Sequence, residues 1–311
     1  MGQEHDHTHG ANKKILLISF IIITTYMVIE AIGGFLTNSL ALLADAGHML
    51  SDSISLGVGL LAFILGEKAA DYSKTYGYKR FEILAAVFNG VTLVLIAIYI
   101  FYEAYQRFTD PPEVASTGML IIATIGLLVN ILVAWLLMRG GDTKENLNIR
   151  AAFLHVVGDL LGSVGAIIAA LMIIFFNWGW ADPLASVIVA VLVLISGWRV
   201  TKESIHVLME GTPKNVEIDA VIRTIERIPG VNNMHDLHVW SITSGQNALS
   251  CHVVVDGTIS IQESQEMLRT IEQKLEDENI GHATIQMESE NHPHKDSVMC
   301  KDGNTEHDHE H

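Results

Sequence analysis

Six stretches of this chain, 15–36, 40–66, 81–105, 118–138, 151–176 and 184–206, are apolar over roughly twenty residues or more, the length a helix needs to cross about 30 Å of hydrocarbon. A helix that is apolar all round must be buried or lie in lipid, and six of them leave few soluble options. Half of the 311 residues are hydrophobic and the mean hydropathy is +0.34. The expected fold class is an α-helical membrane protein with six transmembrane helices. An even number of spans puts both termini on one side. Eleven Lys and Arg fall on that side and only Arg107 on the other, so a multi-pass cell-membrane protein with both termini cytoplasmic is expected. The first fourteen residues are polar and His-rich, without the apolar core and cleavage site of a signal peptide.

Ionisable residues interrupt two of these stretches. In the second, Asp45, His48 and Asp52 occupy positions i, i+3 and i+7, one face of a helix. In the fifth, His155 and Asp159 repeat the His-x-x-x-Asp spacing. A charge inside a membrane helix costs about 2.5–3.5 kcal/mol on insertion scales and marks a substrate or ion path by default. Two imidazoles and two carboxylates on facing helices make an N2O2 set suited to tetrahedral Zn²⁺ or Co²⁺. Asp45 reads as a carboxylate at the mouth of that site or just behind its ligands, with a plain structural role as the alternative. The plainer alternative, hydrogen bonding within a packed bundle, does not account for the spacing occurring twice.

After residue 211 the periodicity becomes that of a small soluble domain in the order αββαβ, with Pro229-Gly230 and Ser244-Gly245-Gln246-Asn247 as turns. Four regions follow: a His-rich cytoplasmic tail, 1–14; the membrane domain, 15–210; a cytoplasmic domain, 211–290; and a His-rich disordered tail, 291–311. The formal charge of −16 is concentrated beyond residue 211, with 18 acids against 7 Lys and Arg. That surface excludes nucleic acid as a partner and suits cations. Cys251 and Cys300 form no CxxC pair or disulfide framework.

Several motifs carry a resemblance: Ser39-Leu-Ala-Leu-Leu-Ala-Asp-Ala-Gly-His-Met-Leu-Ser-Asp52, Tyr76-Gly-Tyr-Lys-Arg-Phe-Glu82, His155-x-x-x-Asp159, Trp180-Ala-Asp-Pro183, His235-Asp-Leu-His-Val-Trp240 and Thr284-Ile-Gln-Met-Glu288. Over residues 13–290 the chain resembles the cation diffusion facilitators, in particular the bacterial cobalt-zinc-cadmium resistance type, which is similar to vertebrate zinc transporters. The resemblance implies a homodimer in membrane lipid, a ferredoxin-like cytoplasmic domain, and export of Zn²⁺, also Co²⁺ and Cd²⁺, by antiport with H⁺. It implies no enzyme activity and no cofactor besides the transported metal and a structural or regulatory Zn²⁺ in the cytoplasmic domain. By resemblance the transport site falls on His48, Asp52, His155 and Asp159, and the cytoplasmic metal site on His235, His252, His282 and Glu288. Histidine at 48 is associated in the family with favouring zinc over cadmium. The loop 67–80 lacks His, and 140–148 is short, so metal sites found there in some relatives are not carried over.

Glu4-His-Asp-His-Thr-His9 and Glu306-His-Asp-His-Glu-His311 are expected to capture metal transiently near the entrance. Metal binds the deprotonated ligands, so protons arriving from outside displace it, and imidazole titrating near pH 6.5 suits that exchange. An intramembrane metalloenzyme is disfavoured because no His-Glu-x-x-His occurs and four protein ligands leave no open position for water. The alternative kept is a membrane-bound metal sensor that signals through its cytoplasmic domain.

Overall fold

The computed structural model describes residues 5–65, 71–139, 147–243, 245–290 and 298; some side chains inside helices, among them those of residues 5–16, 58–65 and 147–159, lie outside that description. The chain divides into two compact units, Met1–Ser204 and Ile205–His311.

The first unit is helical: α1 His5–Thr37, α2 Leu40–Leu65, α3 Arg80–Thr109, α4 Ser116–Arg139, α5 Leu147–Phe176 and α6 Ala181–Leu208. Each expected apolar stretch falls in one of them. Among the described residues, Phe20–Thr37, Arg80–Thr109, Ser116–Val133 and Ala181–Leu208 are long and apolar enough to cross a membrane, and Gly162–Phe176 is a shorter apolar segment. Helix α1 begins inside the segment read as a tail, which contains no proline to stop it.

Helix α2 contributes to a core cluster with every other helix of this unit. Its Leu40 and Ala44 meet Leu93, Ala97 and Ile100 of α3 with Val189, Ala190 and Val193 of α6. Ala41 and Leu42 meet Met119 and Ala123 of α4 with Ala166, Ala169 and Ala170 of α5. Met49 meets Ile23 and Tyr26 of α1 and Val133 of α4. Small residues dominate because lipid supplies no hydrophobic drive between helices, so close backbone approach and dispersion hold them together. Between α3 and α6 the backbones come close: a Cβ at Gly197 would lie 2.9 Å from the Gly90 carbonyl oxygen. Large apolar side chains such as Phe88, Tyr99, Ile188 and Trp198 point outward, the arrangement that acyl chains solvate.

The second unit runs α7 Ile218–Glu226, β1 Val231–Thr243, β2 Gln246–Val255, α8 Ile261–Asp277 and β3 His282–Ser289, the expected αββαβ order. Its sheet has the order β1-β2-β3, with β1 antiparallel to β2 and β2 parallel to β3. Parallel pairing needs a crossover, which α8 supplies. Ser260 and Glu263 start α8 with a reciprocal capping box, and the Ser260 amide and hydroxyl hold the Glu263 carboxyl below the usual carboxylate range. Val221, Ile225, Ile271 and Leu275 cover one face of the sheet over Leu249, Cys251 and Val253. Because side chains alternate along β2, His252 stands on the other face.

Candidate metal centres

In the membrane unit the site residues depend on how α2 is anchored. Asp182, at the start of α6 and fully buried, accepts from Ser39 Oγ (2.6 Å) and from the backbone amides of Leu40 (2.9 Å) and Ala41 (3.1 Å). These are amides that a helix start cannot satisfy internally, so α2 is capped from another helix. Arg107 of α3 lies 3.6 Å from the same carboxylate and donates to the Asn38 carbonyl at 2.7 Å. The Trp180-Ala-Asp-Pro183 motif thus positions α2.

Asp45 is 2 % exposed. It lies on Gly162 of α5, where a Cβ would collide with its Oδ1, so only glycine admits the carboxylate. Ser163 Oγ donates to Asp45 Oδ2 at 3.4 Å, and Asn130 Nδ2 of α4 donates to Ser163 Oγ at 3.4 Å. The structure therefore puts Asp45 inside a contact of α2, α4 and α5. Asp52 is buried, His48 half-buried, and Asn89 of α3 donates to the neighbouring Ser51 hydroxyl at 2.8 Å. The backbone of His155 and Asp159 belongs to α5, while their side chains lie outside the described residues. Also outside them are the side chains of His5, His7 and His9 and the whole of residues 306–311.

Glu30 belongs to no repeated or paired motif in the sequence. It is fully buried in α1 and hydrogen-bonded to the Tyr26 hydroxyl at 3.3 Å. Its acidity inside the first apolar stretch is the signal that finds it.

The soluble unit brings His235, His252 and Glu288 together, with one ligand atom of each within 4.8 Å of the others. Register explains this. His235 pairs with His252 across β1 and β2, and Val254, two residues along, pairs with Glu288 on β3. His235 Nε2 lies 3.4 Å from Glu288 Oε2, and His252 Nδ1 lies 2.8 Å from Glu288 Oε1. Two ligands of a tetrahedral zinc with bonds of about 2.0–2.1 Å stand roughly 3.3 Å apart, so this N2O donor set fits the ion. Gln286 donates to Glu288 Oε1 at 2.7 Å and orients it. His282 is not part of the cluster. It is exposed, opens β3 and pairs with Ala248, four residues before the position facing His252 and so about 13 Å away along the strand.

Asp236 is the residue that sequence patterning does not reveal. Between His235 and His238 the pairing of β1 slips by one residue, and Asp236 takes a left-handed φ of 53°, which Asp tolerates better than most residues. The bulge aims its carboxylate at His238 Nε2 (3.3 Å) and His252 Nε2 (3.8 Å). Cys251, on the core face, is no ligand: burial pushes its thiol up to about 12.

A bundle of apolar helices with buried carboxylates and a half-buried imidazole on its central helix, attached to a second unit with a zinc-compatible cluster, is a multi-pass membrane transporter of metal cations. The chain belongs to the cation efflux family: residues 16–209 match the cation efflux transmembrane domain and residues 213–290 the cytoplasmic domain of cation efflux proteins. It is 67 % identical over 297 residues to the cadmium, cobalt and zinc/H(+)-K(+) antiporter of Bacillus subtilis, covering 96 % of each chain. It is 45 % identical over 295 residues to the zinc transporter ZitB of Escherichia coli, covering 93 % of each. A solved structure, the metal-bound C-terminal domain of the CzcD transporter from Cupriavidus metallidurans, is 40 % identical and covers 24 % of this chain and 99 % of that one, with a TM-score of 0.22. The family is one of transporters, not enzymes.

Proposed function

We propose that this chain exports Zn²⁺, also Co²⁺ and Cd²⁺, from the cytoplasm in exchange for H⁺ through a site made of His48, Asp52, His155 and Asp159. The observation that carries the reading is the register of α2 on α5. Ala41 and Leu42 share a cluster with Ala166, Ala169 and Ala170, whereas Asp45 lies on Gly162, so the two helices run in opposite directions. Three positions beyond Asp45 is His48, and three before Gly162 is Asp159; seven positions beyond and before are Asp52 and His155. Steps of three and seven stay on one helix face, so the positions of His48 and Asp159 fall at one level of the two helices and those of Asp52 and His155 at the next. The substrates named for the Bacillus subtilis relative, with H⁺ and K⁺ as its counter-ions, agree with this reading.

The working assembly is a homodimer with six spans per chain, a ferredoxin-like cytoplasmic domain and both termini in the cytoplasm. Neutral imidazoles and ionised carboxylates bind metal from inside, the bundle turns the site outward, and protons take the ligands as the metal leaves. In the cytoplasmic domain His235, His252 and Glu288 hold a regulatory Zn²⁺, with Gln286 and Asp236 orienting them.

Everted vesicles or proteoliposomes carrying an imposed pH gradient test the reading. The wild-type chain accumulates Zn²⁺ and releases H⁺, and Asp159→Asn abolishes both. Coupled flux that persists in Asp159→Asn removes the site from the mechanism.

A further inference from the structure

We propose that Glu30 carries the proton counter-flow, with Tyr26 as the hydroxyl partner that serves both of its protonation states. The proposal rests on the H⁺-exchange reading above and adds a residue outside the metal ligands.

Glu30 is fully buried in α1, within Phe20–Thr37. A carboxyl group at such a place is expensive to insert and belongs by default to a pathway. The Tyr26 hydroxyl stands 3.3 Å from Glu30 Oε1 and 2.9 Å from the Ile122 carbonyl oxygen of α4. A phenol has one proton to give. When Glu30 is ionised, Tyr26 donates to it. When Glu30 is protonated, its O–H donates to the Tyr26 oxygen and Tyr26 donates to the Ile122 carbonyl. Either state leaves the group hydrogen-bonded, which is what a residue that gains and loses one H⁺ in each cycle requires; only O–H bonds form and break. The absence of a side chain at Gly126 gives the phenol this position, since a Cβ there would collide with its oxygen.

The location fits a relay. Glu30 lies seven residues before the end of α1 and Asp45 five residues after the start of α2, so both sit about 8–10 Å from that end of the bundle, with His48 and Asp52 about 12 and 18 Å in. A proton entering there meets Glu30 before it meets the transport ligands. Asn130, one turn along α4 from Gly126, reaches Asp45 through Ser163. The titratable groups on the elements packed around Glu30 are Tyr26 on its own helix, with His5, Asp6, His7, His9, Lys13 and Lys14 toward that helix's start, Asp45, His48 and Asp52 on α2, and Arg139 at the far end of α4.

The test uses the full-length chain in proteoliposomes with a zinc indicator and a pH dye, together with equilibrium Zn²⁺ binding. Glu30→Gln is expected to bind Zn²⁺ within twofold of wild type, to lose at least tenfold in pH-gradient-driven uptake, and to flatten the dependence of uptake on pH; Glu30→Asp restores most of the rate. Wild-type rate and pH profile in Glu30→Gln overturn the proposal, as does loss of Zn²⁺ binding, which would make Glu30 part of the metal site. If Glu30→Gln does not fold, Tyr26→Phe carries the test: a shifted pH profile supports the relay and an unchanged one overturns it. Absence of exchange in the wild-type chain overturns the parent reading and this proposal with it, an outcome distinct from a failure confined to the variants.

Discussion

The carboxylate of Asp182, at the start of α6, accepts a 2.6 Å hydrogen bond from Ser39, the residue just before α2. Through this bond and the amides of Leu40 and Ala41, the helix that carries His48 and Asp52 is held by a residue more than 140 positions away.

Removing that carboxylate takes from the buried Arg107 guanidinium one of its two carboxylate partners, leaving Glu103 at 3.0 Å, and leaves the α2 amides without their cap. Breaking a buried ion pair from one side costs roughly 3–5 kcal/mol. Asp182→Ala is expected to lower the melting temperature in detergent by several degrees and reduce Zn²⁺ transport at least tenfold, with Asp182→Asn intermediate. Thermal denaturation and vesicle uptake check both.

Zinc binding by the soluble unit is expected to depend on His235, His252 and Glu288 and not on His282. In a full-length background with the transport site disabled by His48→Ala and Asp159→Asn, His252→Ala should weaken the remaining Zn²⁺ affinity at least 100-fold, while His282→Ala leaves it within twofold. Equilibrium dialysis distinguishes the two. Because protons compete with metal for imidazole nitrogen, the affinity of the intact cluster falls as pH is lowered.

In the same background Asp236→Asn keeps a residue that accepts the left-handed backbone but removes the charge facing His252. Groups that orient metal ligands are worth about 10–100-fold in affinity, so a loss of at least tenfold in Zn²⁺ binding with unchanged melting temperature of the apo chain is the expected result. Asp236→Val, a β-branched residue at φ 53°, should lower the melting temperature as well.

Cys251 should resist thiol reagents. Burial raises its thiol to about 12 from an ordinary value of 9.0, so the thiol form is favoured by folding. Its contribution to stability is complete below about pH 9 and is lost as pH rises toward 12. Thiol titration of Cys300→Ala is expected to find no reactive group in the native chain at pH 8 and one group after denaturation. Alkaline unfolding of the soluble unit should begin above pH 9 and be reduced in Cys251→Ala, as circular dichroism would record.

Long apolar runs and repeated His-x-x-x-Asp spacing are local signals, so the helical membrane unit and the importance of α2 are legible in sequence. The αββαβ order is legible too, because turns and alternation mark each element. Partnerships across long separations are not. Nothing local says that Asp182 caps α2, that Gly162 makes room for Asp45, or that one extra residue in β1 turns Asp236 toward His252. His282 shows the same limit: its residue type suits a metal site, but the register of β3 on β2 puts Gln286 opposite His252 instead. Glu30 is a single acid in an apolar run and lacks the periodic partner that makes His48 and Asp52 stand out.

The bulge at Asp236 has a second effect, on the border of the sheet. It turns the Leu237 amide away from β2, and that amide donates to the carbonyl of Val298 at 2.9 Å. Strand β1 lies at an edge of the sheet, where unmatched amides invite a strand from a neighbouring molecule. Residue 298 fills that vacancy from the same chain, so another chain can add beside the bulge only after displacing it. The distortion that arranges the metal cluster thereby also protects the domain against edge-to-edge aggregation.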